Sequence, residues 1–434
     1  MSAAAAKRPW WIPHFLGRLP PLEDRHIKLL GVVSLALLFE GYDLSIIASA
    51  LKHIAEGVGM DEDKMGGLLG LVRLGGLPAL AVVPVADRIG RRPVFLATVV
   101  GFSVGTFLTA FAQTPAHFVA AQMFTRTFLL AGVAIGMVFI AEEFPAEHRG
   151  WGIGMTAALA AFGHGLGALG FAFIDQLPFG WRSLYAMGIL PVLLLPMFRR
   201  NLPETGRFIA NQLATGQTST ADTGHRWRDA LQPIIDLATA FPGRTALVGL
   251  TGLLVATGEV SVFQFTSYIV QKLHGWSPGQ YSFMVIAGGM VGIIGNIVAG
   301  KQGDKHGRRV VGAVFFLLYP AAAWLFYRGP GGAVLPIAYI FIVFCGTAGS
   351  VILRAISTEL FPTSYRSTAS GWTVSVQTLG WTLGLLLLGM SSNNAEQIAS
   401  ATAWISLTVA VGGLVLLRLP ETRGRELEDI SRLD

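Results

Sequence analysis

"DRIGRR", residues 87–92, returns as "DKHGRR" at 304–309. "EEFPAEHR" at 142–149 returns as "ELFPTSYR" at 359–366, and "LPETGR" at 202–207 returns as "LPETRG" at 419–424. All three recur at one offset, 217 residues, which is half of the 434-residue chain. Gly41 and Gly258, Gly154 and Gly371, Gly163 and Gly380, and Gly167 and Gly384 keep the same offset. One constant offset over separate motifs makes the chain a tandem of two similar halves.

The repeated unit is apolar. Hydrophobic residues make up 52% of the chain and charged residues only 13%, against about 25% charged in soluble proteins. Mean hydropathy is +0.56. Twelve apolar runs lie near 29–50, 66–86, 93–112, 116–141, 150–173, 182–198, 244–270, 281–300, 309–327, 333–358, 367–390 and 397–417. Each is long enough to cross roughly 30 Å of hydrocarbon as a helix. The 53 glycines suit close helix packing in lipid. A soluble multidomain protein is thereby excluded. The expected fold is an all-α polytopic membrane protein, twelve transmembrane helices in two six-helix repeats. Its organisation reads as an N-terminal segment 1–28, a first half 29–198, a linker 199–243, a second half 244–417 and a tail 418–434. The linker's centre, "ATGQTSTADTGH", is small and polar, and "WRDALQPIIDLATAF" after it reads as a short amphipathic helix.

Twelve crossings put both termini on one side. Most Lys and Arg fall there too, in the N-terminal segment, the 87–92 and 301–309 loops, the linker and the tail. The positive-inside rule makes that side cytoplasmic and the protein a multi-pass component of the inner or plasma membrane. The formal charge of +6 is therefore topological, not a nucleic-acid footprint. The N-terminus shows no cleavable signal pattern; its basic, aromatic cluster is expected on the inner membrane surface. With Cys345 the sole cysteine, no intrachain disulfide can form.

Within this greasy frame, "LFEGYDLSII" at 38–47 places Glu40 and Asp43 near the middle of the first span. A charge at the bilayer centre costs on the order of 3 kcal/mol, so it signals function by default. The embedded set is Glu40, Asp43 and Glu259 against Arg73, Arg126 and Arg354, with His164. Acids and arginines in equal number are expected to pair. Asp43 lies three residues after Glu40, so both share one helix face. A carboxylate held between burial and an arginine can take up and release a proton as the arginine moves. The reading is Asp43 as proton acceptor, Arg126 as its partner and Glu40 as modulator; the alternative is a permanent Asp43–Arg126 bridge that only orders the bundle.

Arg354 offers a planar fork for a substrate carboxylate, or snorkels to the interface. Arg73 falls in the outer half of the second span, to guide anions or meet an acid near the mouth. His164 either bonds between helices or faces the cavity as a substrate contact or proton relay. Glu259 is a second titrating site or an arginine's partner. Tyr42, Tyr268, Trp372, Trp381, Gln264 and Gln377 suit a pocket for a ring-bearing ligand, although each alone is also an ordinary packing residue.

Other motifs fail on context. "GFSVG" at 101–105 fits a hydrolase elbow, but that needs a strand-to-helix turn and this is mid-span. "GLGALG" at 165–170 follows no strand, so dinucleotide binding is unsupported. There is no Walker A sequence and no metal-ligand spacing. The chain is expected to be no enzyme, with no cofactor and no metal.

The chain resembles the major facilitator superfamily across essentially all twelve spans. "GLPALAVVPVADRIGRRPV" at 76–94 is similar to that family's signature loop after the second helix, and "VAGKQGDKHGRRVV" at 298–311 to its copy after the eighth. The resemblance implies gating by ion pairs that break as the halves rock, assigned to Asp87, Arg91, Arg92, Asp304, Arg308 and Arg309 with Glu142, Arg149, Glu359 and Arg366. "GYDL", "RTFLLAGVAIG", "GWRSLY" and the "LPET" motifs are similar to sugar porters, in which an aspartate of the first helix pairs with an arginine of the fourth. That maps onto Asp43 and Arg126. Three departures point away from a sugar: "EVSVFQFTSY" lacks the paired glutamines of helix 7, His164 replaces the glutamine of "FGQ", and Arg354 replaces a tryptophan in helix 10. "EGYD" is close to the helix 1 motif of aromatic-acid:proton symporters, with Glu40 for the usual aspartate. The expected function is a proton-coupled symporter of a small organic anion, aromatic or another monocarboxylate, working by alternating access as a monomer in the lipid bilayer. A sugar or polyol porter is the alternative, followed by a drug exporter or a membrane sensor that no longer transports.

Overall fold

The computed structural model describes the backbone of residues 8–9, 11–12, 19–145, 147–206, 208–209, 226–362 and 365–423. Side chains are further excluded at Leu80, Val83, Pro84, Asp87, Arg88, residues 226–231 and Ser367.

Among the described residues, eleven helices are long and apolar enough to cross a membrane. In chain order the spans are α1 (Asp24–Ser49), α2 (Glu62–Leu74 and Ala79–Ile89), α3 (Arg91–Thr109), α4 (Pro115–Glu143), α5 (Arg149–Ala172), α6 (Trp181–Asn201), α7 (Pro242–His274), α8 (Pro278–His306), α9 (Arg308–Arg328), α10 (Val334–Glu359), α11 (Arg366–Ser391) and α12 (Ala395–Leu416). α2 is the twelfth, and it is split. Its break is "GGLP", 75–78, where Pro78 has no N–H to give and its ring crowds the preceding turn. The carbonyl freed at Gly75 accepts from Thr127 Oγ1 of α4 at 2.7 Å, which satisfies a polar group that lipid could not. A helix Arg226–Ala240 runs into α7, where an amphipathic helix is expected.

The ends of the spans follow local signals. Thr114 accepts from His117 N ahead of Pro115, the first residue of α4. Ser277 and Gln280 form a reciprocal capping box at α8.

α1–α6 and α7–α12 form the two halves. In each, two glycines four apart let one helix lie against another. Gly163 and Gly167 of α5 meet the backbone of Leu38 and Tyr42 on α1, and Gly380 and Gly384 of α11 meet that of Leu253 and Thr257 on α7. The halves join on the side opposite the termini, the far side. There the first piece of α2 packs on α11, α5 on α8, and α1 on α7. The hydrogen bonds and ion pairs between described residues of the two halves run from the far surface only to the depth of Arg73. Beyond that depth no hydrogen bond or ion pair joins described residues of the two halves, and the mid-span residues His164 and Arg354 are exposed, which leaves a space between the halves on the terminal side.

Candidate functional site

The seam that closes the far side begins at Glu62. Tyr268 OH donates to its carboxylate at 2.6 Å and Lys272 Nζ stands 3.3 Å away. Below, Gly66 and Gly389 bring α2 and α11 into backbone contact. Ser267 Oγ then donates to the Ser49 carbonyl, and Ser282 Oγ of α8 to the Ala168 carbonyl of α5 at 2.6 Å. At the base, Gln264 Nε2 donates to the Ile47 carbonyl at 3.2 Å while its Oε1 accepts from Arg73 Nη2 at 3.1 Å. Arg73 also lies 5.9 Å from the Trp381 ring centre. Arg73 thus bridges the halves as the floor of the cavity. Its direct partners are a glutamine and an indole, not the acid near the mouth that its position in the sequence suggests.

Under that floor, in the first half, sit the buried charges. Asp43 is 1% exposed and Arg126 2%. Thr106 Oγ1 donates to Asp43 Oδ1 at 3.0 Å. Gln122 also acts on the Asp43 carboxylate, yet Oδ2 has no partner at hydrogen-bond geometry, and neither do Arg126 Nε and Nη2. Arg126 acts electrostatically on Asp43, Glu40 and His164, but no ion pair joins Asp43 to Arg126 in this conformation. Glu40 is half-buried and His164 exposed. His164 abuts Gly41, where an added Cβ would lie 2.9 Å from Nδ1; this fixes the ring beside the acidic turn of α1.

The second half supplies a separate pair. Ser350 Oγ of α10 donates to Glu259 Oε1 of α7 at 3.3 Å. Arg354, one turn on, is exposed and donates Nε to the Ser350 carbonyl at 3.3 Å. It acts on Glu259. Glu259, Ser350 and Arg354 therefore form one cluster, as Glu40, Asp43, Arg126 and His164 form another, with Arg73 and Trp381 between the halves.

Four residues expected at a ring-binding pocket are placed elsewhere. Tyr42 is buried, its OH donating to the Leu184 carbonyl of α6 at 3.0 Å. Trp372 Nε1 donates to the Thr245 carbonyl at 3.1 Å, with the ring against Gly249 of α7. Tyr268 and Gln264 belong to the far-side seam. Gln377 is half-buried beside Gly252.

The terminal side shows what the repeated motifs do. Arg91 Nη2 pairs with Glu142 at 2.8 Å, and Arg308 Nη1 with Glu359; Asp304 also meets Arg308 at 3.3 Å. Arg92 Nη2 donates to the Arg199 carbonyl at 2.6 Å, and Arg366 Nε to that of Phe361 at 3.4 Å. Arg309 Nε stands 3.7 Å from Glu421, while Arg149 opens α5. All these contacts lie inside one half. The Asp87 side chain lies outside the described residues. The "LPET" glutamates have a role the motif itself did not reveal. Glu204 accepts from the backbone N–H of Arg91 and Arg92, and Glu421 from those of Arg308 and Arg309. Each carboxylate caps the first turn of a helix, where partial positive charge favours it, and ties the end of each half to its third helix. A Glu at the same place in both repeats was the available signal. Glu62 and Lys272 carried none, since neither recurs at the repeat offset.

Comparison with known proteins agrees with this architecture. The family model described as Major Facilitator Superfamily matches residues 33–385 and 248–432. The chain is 26% identical over 389 residues to a gallate transporter of Pseudomonas putida, covering 85% of this chain and 86% of that one. It is 23% identical over 427 residues to the 4-hydroxybenzoate transporter of Pseudomonas aeruginosa, covering 91% and 94%. A putative niacin/nicotinamide transporter of Bacillus subtilis is 25% identical over 422 residues, covering 95% and 100%. Among solved structures, the inward-open xylose transporter of E. coli superposes with a TM-score of 0.73 at 19% identity, covering 94% of this chain and 99% of that one. With the duplicated six-helix halves, the split second span and a family match across both repeats, the chain belongs to the major facilitator superfamily, a transporter and not an enzyme.

Proposed function

We propose that the chain is a proton-coupled symporter of small ring-bearing monocarboxylates, with both termini in the cytoplasm and the cavity open to it. One observation carries the coupling: Asp43 and Arg126 are both buried, each keeps unsatisfied polar atoms, and they are not paired. A permanent structural bridge would have closed that gap, because an unmatched buried charge is costly. A pair with two arrangements, proton on Asp43 or guanidinium against it, suits a carrier.

On this reading the substrate carboxylate engages Arg354, whose guanidinium spends only Nε on the backbone and keeps its two-pronged end for an anion. Arg126 is too deeply buried in this state to be the fork. The ring lies toward Trp381, and a proton neutralises Asp43. Only the carrier loaded with both, or empty of both, rocks between states. The relatives named for gallate, 4-hydroxybenzoate and niacin support a ring-bearing carboxylate, and the lost sugar-contact residues point the same way.

The test is transport in proteoliposomes with an imposed pH gradient, using 4-hydroxybenzoate, gallate, nicotinate and xylose. Acids should accumulate and xylose should not. Asp43→Asn should abolish accumulation yet retain exchange of labelled for unlabelled acid; Arg354→Ala should lose both. Loss of exchange in a folded Asp43→Asn protein removes the coupling role. Accumulation of xylose, indifferent to Arg354, makes this a sugar porter.

A further inference from the structure

On the terminal side of the first half, a cavity of about 400 Å³ is lined by Arg25, Lys28, Arg92, Arg199, Arg200, Asn201, Leu202 and Pro203. Five cations and, among the described residues, no acid line it. Arg25 pairs with Glu23 at 2.8 Å, and Arg92 reaches the Arg199 carbonyl. Glu204 is directed at the backbone of Arg91 and Arg92. Lys28, Arg199 and Arg200 are exposed and have no acidic partner among the described residues. Like charges gathered at one site repel, and nothing in the fold requires it.

The repeat itself supplies the control. At the offset of 217, Arg92, Leu202 and Pro203 return as Arg309, Leu419 and Pro420, and Asn201 as Arg418. Arg25, Lys28, Arg199 and Arg200 return as Pro242, Thr245, Leu416 and Leu417. The second half builds the same helix ends with apolar or neutral residues at those four places, so the four cations are not there for the fold. A general excess of inner-side charge does not require them to converge on one cavity either.

We propose that this cavity binds the phosphate headgroup of an anionic membrane lipid of the terminal-side leaflet. The cations sit at the start of α1, the start of α3 and the end of α6, the depth at which hydrocarbon gives way to headgroups. Leu190, Leu193 and Met197 are exposed and spaced at helical intervals leading to Arg200, an apolar track for an acyl chain directly beneath the site. A soluble phosphate has no use for that track, which favours the lipid. The site belongs wholly to the first half, so a lipid could stay bound while the halves rock.

Native mass spectrometry of the detergent-purified chain, titrated with phosphatidylglycerol or phosphatidylcholine, tests this. The variant is Lys28→Gln/Arg199→Gln/Arg200→Gln; the equal-charge control is Lys301→Gln/Lys305→Gln/Arg423→Gln on the second half. Phosphatidylglycerol should be retained selectively by the wild type and the control, and roughly 100-fold more weakly by the variant, from about a fivefold loss for each of the three cations. Thermal unfolding of the apo proteins checks that the variant is folded; should it not be, Arg200→Gln alone should still lose about fivefold. Equal retention by variant and wild type overturns the site. Equal retention of phosphatidylcholine overturns the anionic headgroup. Displacement of the lipid by millimolar inorganic phosphate overturns the lipid in favour of a free anion.

Discussion

Replacing Glu62 with Gln should open the far side. Glu62 belongs to the first half and its partners, Tyr268 and Lys272, to the second, so both contacts exist only while the far side is closed. A hydrogen bond to a charged group contributes roughly 1.5–3 kcal/mol, and Tyr268 to Glu62 at 2.6 Å is of that kind. Lys272 is 3.3 Å away with both side chains partly exposed, which places it at about 0.2–1 kcal/mol. Gln keeps a carbonyl for the tyrosine but loses the charge, which removes about half of the first contribution and most of the second. The closed state should lose roughly 1–2 kcal/mol relative to the open one, a factor of about 5–30 in their ratio. Chemical labelling can read this directly, since Cys345 is 0% exposed and gives little background. Met65, also 0% exposed and beneath the far-side surface, becomes the reporter as Met65→Cys. A maleimide added from the far side should react about 5–30 times faster in the Glu62→Gln background. Tyr268→Phe should accelerate it similarly, and the double variant should fall short of the product of the two single effects, because both weaken the same hydrogen bond. An unchanged rate, or full additivity, would refute the latch.

Two further outcomes follow from single glycines. Gly90 and Gly307 have φ of +111° and +98°, and an added Cβ would stand 2.5 Å from Glu204 Oε2 and 2.7 Å from Glu421 Oε2; Gly90→Ala and Gly307→Ala should each lower thermal stability, by about 1–3 kcal/mol from the backbone alone, while Gly150→Ala, with open space around it, should not. Gly163→Ala would drive a methyl into the Leu38 carbonyl, so α5 must leave α1 and carry His164 from its acids; transport should fall at least tenfold with the protein still inserted, and Gly154→Ala, open on all sides, should be silent.

Much of the fold was legible because lipid leaves few options. A run of 20 apolar residues reads as a spanning helix, and the 217-residue offset pairs the spans. α2 was visible as a run but not as a broken helix: Gly75, Gly76 and Pro78 allow a break, but Thr127 decides it by taking the freed carbonyl, and that contact lies 52 residues away. The embedded charges were legible for the same energetic reason, but not their arrangement: the structure gathers them into two clusters, and Asp43 and Arg126 are not joined as an ion pair in this conformation. Which aromatic faced the cavity was not, since Tyr42, Trp372 and Trp381 are equally apolar neighbours of glycines in the sequence. Their orientation depends on helix rotation, set by backbone contacts such as Gly380 on Leu253.

The duplication separates what the fold needs from what the chemistry needs. The pairs that hold each half, Arg91 with Glu142 and Glu204, return as Arg308 with Glu359 and Glu421. The central charges do not return: Asp43 becomes Val260, Arg126 becomes Val343, Arg73 becomes Met290, and going the other way Arg354 becomes Met137. His164 and Trp381 occupy equivalent places, each following the first glycine of a packing pair; Arg126 acts electrostatically on His164, and Arg73 lies over the Trp381 ring. If both halves bound substrate and proton alike, these charges should have stayed duplicated, because the supporting backbone did. Their divergence fits a division of labour, with the proton site in the first half and the anion site in the second. Moving the pair by Met137→Arg with Arg354→Met should then fail to restore binding of 4-hydroxybenzoate, although the backbone positions are equivalent, because only the second half holds Glu259, fixed by Ser350 Oγ, beside the fork. Recovery of binding by that exchange would show that the arginine's charge suffices and that the halves are not specialised.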